Sequence, residues 1–156
     1  MIVNDCLSYS DQLEFVHKLK LQSWSYTLSS GELDSRVCWQ TPLDKELEPV
    51  VHSLVHTHIP GAWQITQTRG IAQTVRQPHI LPETDPAQVE QLTLLYHPCI
   101  TWDRQWHGAT VIDGDRVEYT PNSLVAYARH LPVLHEAPQT ENVLRMVVEI
   151  QLERRF

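Results

Sequence analysis

Near its C-terminal end the chain carries a strict two-residue alternation. Leu144, Met146, Val148, Ile150 and Leu152 fall on one side, and Arg145, Val147, Glu149 and Gln151 on the other. Period two is the signature of a β-strand, since successive side chains leave opposite faces of a sheet. The apolar set predicts a face packed against other elements, here the two helices read below. The second set opens with an arginine, so the opposite face predicts the polar mouth of a barrel. A charged side chain held there calls for an anion.

The segments upstream give this strand its context. Ser8 predicts a helix cap with Asp11 near the positive end, and Leu13, Phe15, Val16 and Leu19 predict its buried face. A second helix is predicted from Thr41 as cap and Pro42 in the first turn, with Asp44 following. Its apolar stripe is Leu43, Leu47, Val50, Val51, Leu54 and Val55, and Pro60-Gly61 ends it. From Trp63 the pattern turns to strands. Residues 63–75 are rich in Thr, Ile and Val, with Gly70 read as a bulge. Residues 76–88 hold Pro78, Pro82 and Pro86 and read as a loop. Strands follow over 89–96, 108–113, 116–119, 124–128 and 144–152, with Gly114 at a hairpin turn. Two helices followed by many short strands predict a sheet sandwich or open barrel with the helices outside.

Composition narrows the function classes. The 156 residues suit one domain, 1–156, with its own core. A net charge of −7 and the lack of a basic run argue against nucleic acid as a partner. No apolar run is long enough for a membrane span, and Met1-Ile2-Val3-Asn4-Asp5 does not open like a secretory leader. Cys6, Cys38 and Cys99 are few, odd in number and far apart, which predicts free thiols in a reducing, cytoplasmic setting.

Several segments, taken in order, resemble a known family. Leu94-Leu95-Tyr96-His97-Pro98 followed by Trp102-Asp103-Arg104-Gln105-Trp106-His107-Gly108-Ala109-Thr110 resembles the "LYYxP…WDxxWGGET" stretch of prolyl-4-hydroxylase-like Fe(II)/2-oxoglutarate-dependent oxygenases, the small bacterial and phage forms above all. Pro121-Asn122-Ser123-Leu124-Val125-Ala126-Tyr127 is similar to their "PxxNRLVxF" strand, and Leu131 to Pro138 to their "xPHxxxAP" turn. The opening Ile2 to Ser8 is similar to their first strand and helix start. The resemblance spans nearly the whole chain and is strongest from Leu92 to Leu152.

The resemblance implies a mainly β chain with supporting helices, folded as a double-stranded β-helix of the jelly-roll or cupin-like type. It implies an Fe(II)-binding oxidoreductase, a dioxygenase acting as a hydroxylase, with 2-oxoglutarate as co-substrate. Residue by residue, His135 matches the distal metal histidine and His79 the proximal one. Arg145 matches the arginine that grips the distant carboxylate of 2-oxoglutarate. Tyr96 becomes a candidate donor to the same anion. The substrate class stays open between small-molecule and peptidyl targets, and the oligomeric state is not implied.

Three positions depart from the pattern. His79-Ile80-Leu81 puts leucine where the family has a metal-binding carboxylate. Arg145-Met146-Val147 lacks the serine that follows the arginine by two, and Trp106-His107-Gly108-Ala109-Thr110 replaces a glycine and a glutamate. Glu83 or Asp85 then becomes the candidate third ligand. Alternatively, two histidines hold the metal alone, with halide at the vacated place as in the halogenases of the wider family. In a third reading the barrel is catalytically inactive and binds a ligand or protein.

Other residues read more plainly. His52 and His56 stand one helical turn apart without the glutamate of a zinc-protease motif and read as surface residues, and His58 suits a helix end. His97 and His107 read as polar lining or exposed, with a replacement ligand as the alternative, and His130 as a turn residue. Tyr127, like Tyr96, is a candidate hydrogen-bond donor to an anionic co-substrate, with core packing as the plainer reading of both. Trp24, Trp39 and Trp63 read as packing or rim residues, and Trp102 or Trp106 as a pocket wall.

Overall fold

In the computed structural model, residues 1–27, 38–74, 79–81 and 90–154 are described, 79–81 through backbone pairing alone. Among the described residues two helices, α1 (Tyr9–Lys20) and α2 (Glu48–His58), accompany eleven strands. These are β1 (Ile2–Val3), β2 (Ser25–Thr27), β3 (Cys38–Pro42), β4 (Trp63–Gln73), β5 (His79–Leu81), β6 (Gln91–His97), β7 (Thr110–Ile112), β8 (Asp115–Val117), β9 (Ser123–Ala128), β10 (Val133–His135) and β11 (Arg145–Arg154). One antiparallel sheet runs β1-β9-β6-β11-β4-β3-β2 and a second runs β5-β10-β7-β8. Together they form a double-stranded β-helix, as the motif order implies. No described helix is long and apolar enough to cross a membrane.

The helices cover one face of the larger sheet. Ser8 caps α1, its hydroxyl accepting from the Asp11 N–H at 3.2 Å. Phe15, Val16 and Leu19 are buried, but Leu13 is 49% exposed and Gln12 takes its place inside. The Gln12 amide donates to the Pro98 and Cys99 carbonyls at 3.1 and 2.9 Å, so a polar residue ties the helix to the end of β6. Phe15 meets Tyr96 of β6 edge to face with ring centroids 5.6 Å apart. Asn122, held at φ +56, docks the chain start, accepting from Leu7 N–H and Tyr96 O–H and donating to the Leu7 carbonyl.

Helix α2 begins later than the sequence predicts. Thr41 and Pro42 close β3, where Thr41 pairs with Gly70, and Leu47 occupies the cap position without a side-chain bond. Thr-Pro mimics a helix start, but proline also suits the end of a strand, where its missing N–H breaks no ladder. Pro49 then fills the first turn of α2.

Gly70 is not a bulge. It pairs in register with Val148, and the irregularity lies at Gln151/Leu152 on β11. Glycine is needed because a Cβ at residue 70 would stand 2.9 Å from the Trp24 ring, 3.0 Å from Thr41 and 3.2 Å from Leu19. Gly70→Ala is expected to destabilise the fold by about 1–3 kcal/mol through overpacking. A urea midpoint equal to that of the unaltered protein would count against this account.

Candidate active site

Strand β10 lies between β5 and β7, so His135 stands opposite both His79 and Thr110. The imidazole of His135 is fully buried, and its Nδ1 lies 3.2 Å from the Thr110 hydroxyl. His79 is thus a direct cross-strand neighbour of His135, two strands that the sequence keeps far apart. The same register sets Leu81 opposite Val133 and Ile80 opposite Leu134. Glu83 and Asp85 lie outside the described residues. Among the described residues no group of three or more metal-binding side chains gathers.

Arg145 opens β11 opposite Gln73 of β4 and is wholly buried. Its Nε donates to the Gly108 carbonyl at 2.6 Å, Nη1 to Gln73 Oε1 at 2.7 Å and Nη2 to Thr110 Oγ1 at 2.8 Å. All three acceptors are uncharged, and no described carboxylate pairs with the guanidinium. Burial pulls its pKa down to about 10, so it stays cationic at neutral pH. Gly108, at φ +83, lets the arginine pass; a Cβ there would lie 3.0 Å from Trp102 and 3.1 Å from Arg145 Cδ. Further along β11, buried Glu149 pairs with Arg69 at 3.0 Å, so the face holding Arg145 is polar inside the barrel, as the alternation predicts.

A stack of rings closes one side. His97 stacks on Tyr119 with centroids 4.3 Å apart, Trp102 tilts against Tyr119 at 4.4 Å, and the Arg145 guanidinium lies 5.4 Å from the Tyr119 centroid. Tyr119 donates to the Met146 carbonyl at 2.6 Å, and burial raises its phenol pKa. Trp102, partly buried, packs against Tyr119 and Trp106, and its indole N–H donates to the His107 carbonyl.

His97 is buried and neutral. Ser123 spends its one hydroxyl proton on the Thr120 carbonyl at 2.7 Å, so the 3.0 Å contact from His97 Nδ1 must be donated by the imidazole. Its Nε2 is then a lone pair, buried without a hydrogen-bond partner. Desolvation, followed by the nearby Arg145 charge, depresses its pKa from 6.5 to about 3. The unfolded chain therefore takes up this proton first as pH falls. Stability from neutral His97 is whole above its unfolded pKa and declines below it, until the folded form titrates. Between about pH 7.5 and about pH 4.5 the loss is expected to be about 2–3 kcal/mol. Denaturant unfolding across that range checks this, and His97→Gln should flatten the slope.

Tyr96 does not join this site. Opposite Val148 in register, it faces α1, and its hydroxyl is committed to Asn122 at 3.0 Å. His97, one residue on, takes the inner face instead. His52 and His56 are exposed and stack 6.1 Å apart on α2, His58 contacts the Cys6 carbonyl, and His107 and His130 are exposed. None of Cys6, Cys38 and Cys99 is in a disulfide. The sequence shows no role for Gln73, which sits in a Thr- and Ile-rich strand with no motif to single it out, for Thr110, which ends the Trp102–Thr110 stretch, or for Tyr119.

This fold is that of the Fe(II)/2-oxoglutarate oxygenases. A 2-oxoglutarate/Fe(II) oxygenase-family oxidoreductase from Burkholderia pseudomallei matches with TM-score 0.72 and 6% identity over 99% of this chain and 85% of that one. A Pseudomonas putida prolyl-4-hydroxylase matches with TM-score 0.69 and 9% identity over 99% and 92%. A Trichoplax adhaerens prolyl hydroxylase, solved with a hypoxia-inducible-factor peptide fragment, matches with TM-score 0.66 and 17% identity over 98% and 81%. No protein-family profile matches the sequence, and no curated protein matches it significantly.

Proposed function

We propose that this chain is an Fe(II)- and 2-oxoglutarate-dependent oxygenase in which Arg145 anchors the keto acid and His135 and His79 hold the metal. The observation that carries the reading is Arg145, a buried guanidinium whose described partners are all neutral oxygens. A buried cation is costly without an anion. Three of its five N–H donors are used, and two remain for a carboxylate. His135 with its cross-strand neighbour His79 fits the imidazole part of a non-haem iron site. When bound, iron and the keto acid would supply the oxidising chemistry by activating dioxygen.

The chain's own residues do the rest. Arg145 binds and orients the carboxylate, Gln73 and Thr110 hold the guanidinium in place, and the His97, Tyr119 and Trp102 rings exclude water from that end. Leu81 cannot ligate, so the third protein ligand is Glu83 or Asp85, or the position is left to halide or water. The substrate is a small molecule or a peptide, and the compartment is cytoplasmic.

A second reading draws on the same contacts. Because Arg145 already holds three protein oxygens, it also serves as a staple between the sheets, and with Leu81 this favours a catalytically inactive barrel that binds a ligand or protein. Calorimetric titration of 2-oxoglutarate into the Mn(II)-loaded protein separates the two. Saturable metal-dependent binding supports the oxygenase; no binding with or without Mn(II) supports the inactive barrel.

A further inference from the structure

We infer that Thr110 and Gln73 form a clamp that couples anion binding at Arg145 to metal binding at His135 through the protein, an inference that rests on the functional reading above. Two separate paths join the residues. Arg145 Nη2 donates to Thr110 Oγ1 at 2.8 Å, and the same oxygen lies 3.2 Å from His135 Nδ1. Arg145 Nη1 donates to Gln73 Oε1 at 2.7 Å, and the Gln73 amide donates to the His135 carbonyl at 3.3 Å. The ring and the backbone of one histidine are thus each tied to a terminal nitrogen of one guanidinium.

All four residues are fully buried, and they come from β4, β7, β10 and β11, so the clamp spans both sheets. The guanidinium is planar and rigid, so its two terminal nitrogens move together. A carboxylate that shifts or tightens Arg145 therefore acts on Thr110 and Gln73 at once. Arg145 can only donate, so one lone pair of the Thr110 hydroxyl is always taken. The hydroxyl keeps a second lone pair and its proton for His135 Nδ1; in the tautomer with the proton on Nδ1 that lone pair accepts it, and Nε2 is the nitrogen that offers a lone pair to a metal. Polarisation along such a chain strengthens each bond, and coupling of this kind is reciprocal.

The test needs an anion that reaches Arg145 but cannot chelate the metal. Butyrate has one carboxylate and an alkyl tail. Co(II) affinity, read from its visible absorption, is measured with and without saturating butyrate. In the unaltered protein butyrate is expected to tighten Co(II) about five-fold or more. Thr110→Val and Gln73→Leu should each bind Co(II) yet lose most of that gain, while Thr110→Ser, which keeps the hydroxyl, retains it. An equal gain in Thr110→Val would mean that charge neutralisation alone links the sites, and would overturn the clamp. No gain in the unaltered protein, with Co(II) and 2-oxoglutarate both binding, would overturn the clamp and leave the functional reading standing. Failure to bind Co(II) at all would overturn both.

Discussion

Arg145→Lys is expected to weaken 2-oxoglutarate binding by about a hundred-fold while leaving metal binding in place. The lysine ammonium keeps the charge but is a single point on a flexible stem. It cannot replace a fork that holds Gly108, Gln73 and Thr110 and still presents donors to a carboxylate. A charge-assisted bidentate contact in a buried site is worth about 3 kcal/mol, hence the factor. Calorimetry with Mn(II)-loaded protein gives both affinities in one experiment. An unchanged keto-acid affinity would confine Arg145 to joining the sheets.

His135→Ala should reduce Fe(II) or Mn(II) affinity by more than about a hundred-fold, since even an outer partner of a metal ligand is worth about ten- to a hundred-fold. The effect is large here because Leu81 leaves few ligands to compensate. The change also empties a buried site against Thr110, at a cost of about 2–3 kcal/mol in stability. Thermal melting therefore has to show a cooperative fold before the lost affinity is read as lost ligation. Metal affinity equal to that of the unaltered protein would move the metal away from His135.

What the sequence could show depended on how far each signal reaches along the chain. The β11 alternation, the Ser8 cap and the Gly114 hairpin are local patterns, and each is found where period and turn chemistry put it. Strand β10 has only three residues between Pro132 and Glu136, too short for a periodic signal, yet it carries His135. Thr41-Pro42 carries the local chemistry of a helix start, and pairing with β4 overrides it. The site itself is built from long-range register. Arg145 meets Gln73, Gly108 and Thr110 only because β11 lies beside β4 and the turn before β7 folds back over it. For the same reason Tyr96 leaves the site while His97 keeps its reading as polar lining: alternation says that they face opposite ways, but only the pairing of β6 with β11 says which one faces Arg145.

The central claim is that the two histidines and Arg145 make a working metal and keto-acid site despite Leu81. It is tested most directly by anaerobic titration with Fe(II) and 2-oxoglutarate, following the visible charge-transfer band of the chelated keto acid. The account predicts a saturable band that disappears in His135→Ala and weakens in Arg145→Lys. No band at high iron and keto acid would contradict it and leave a double-stranded β-helix that binds without this chemistry.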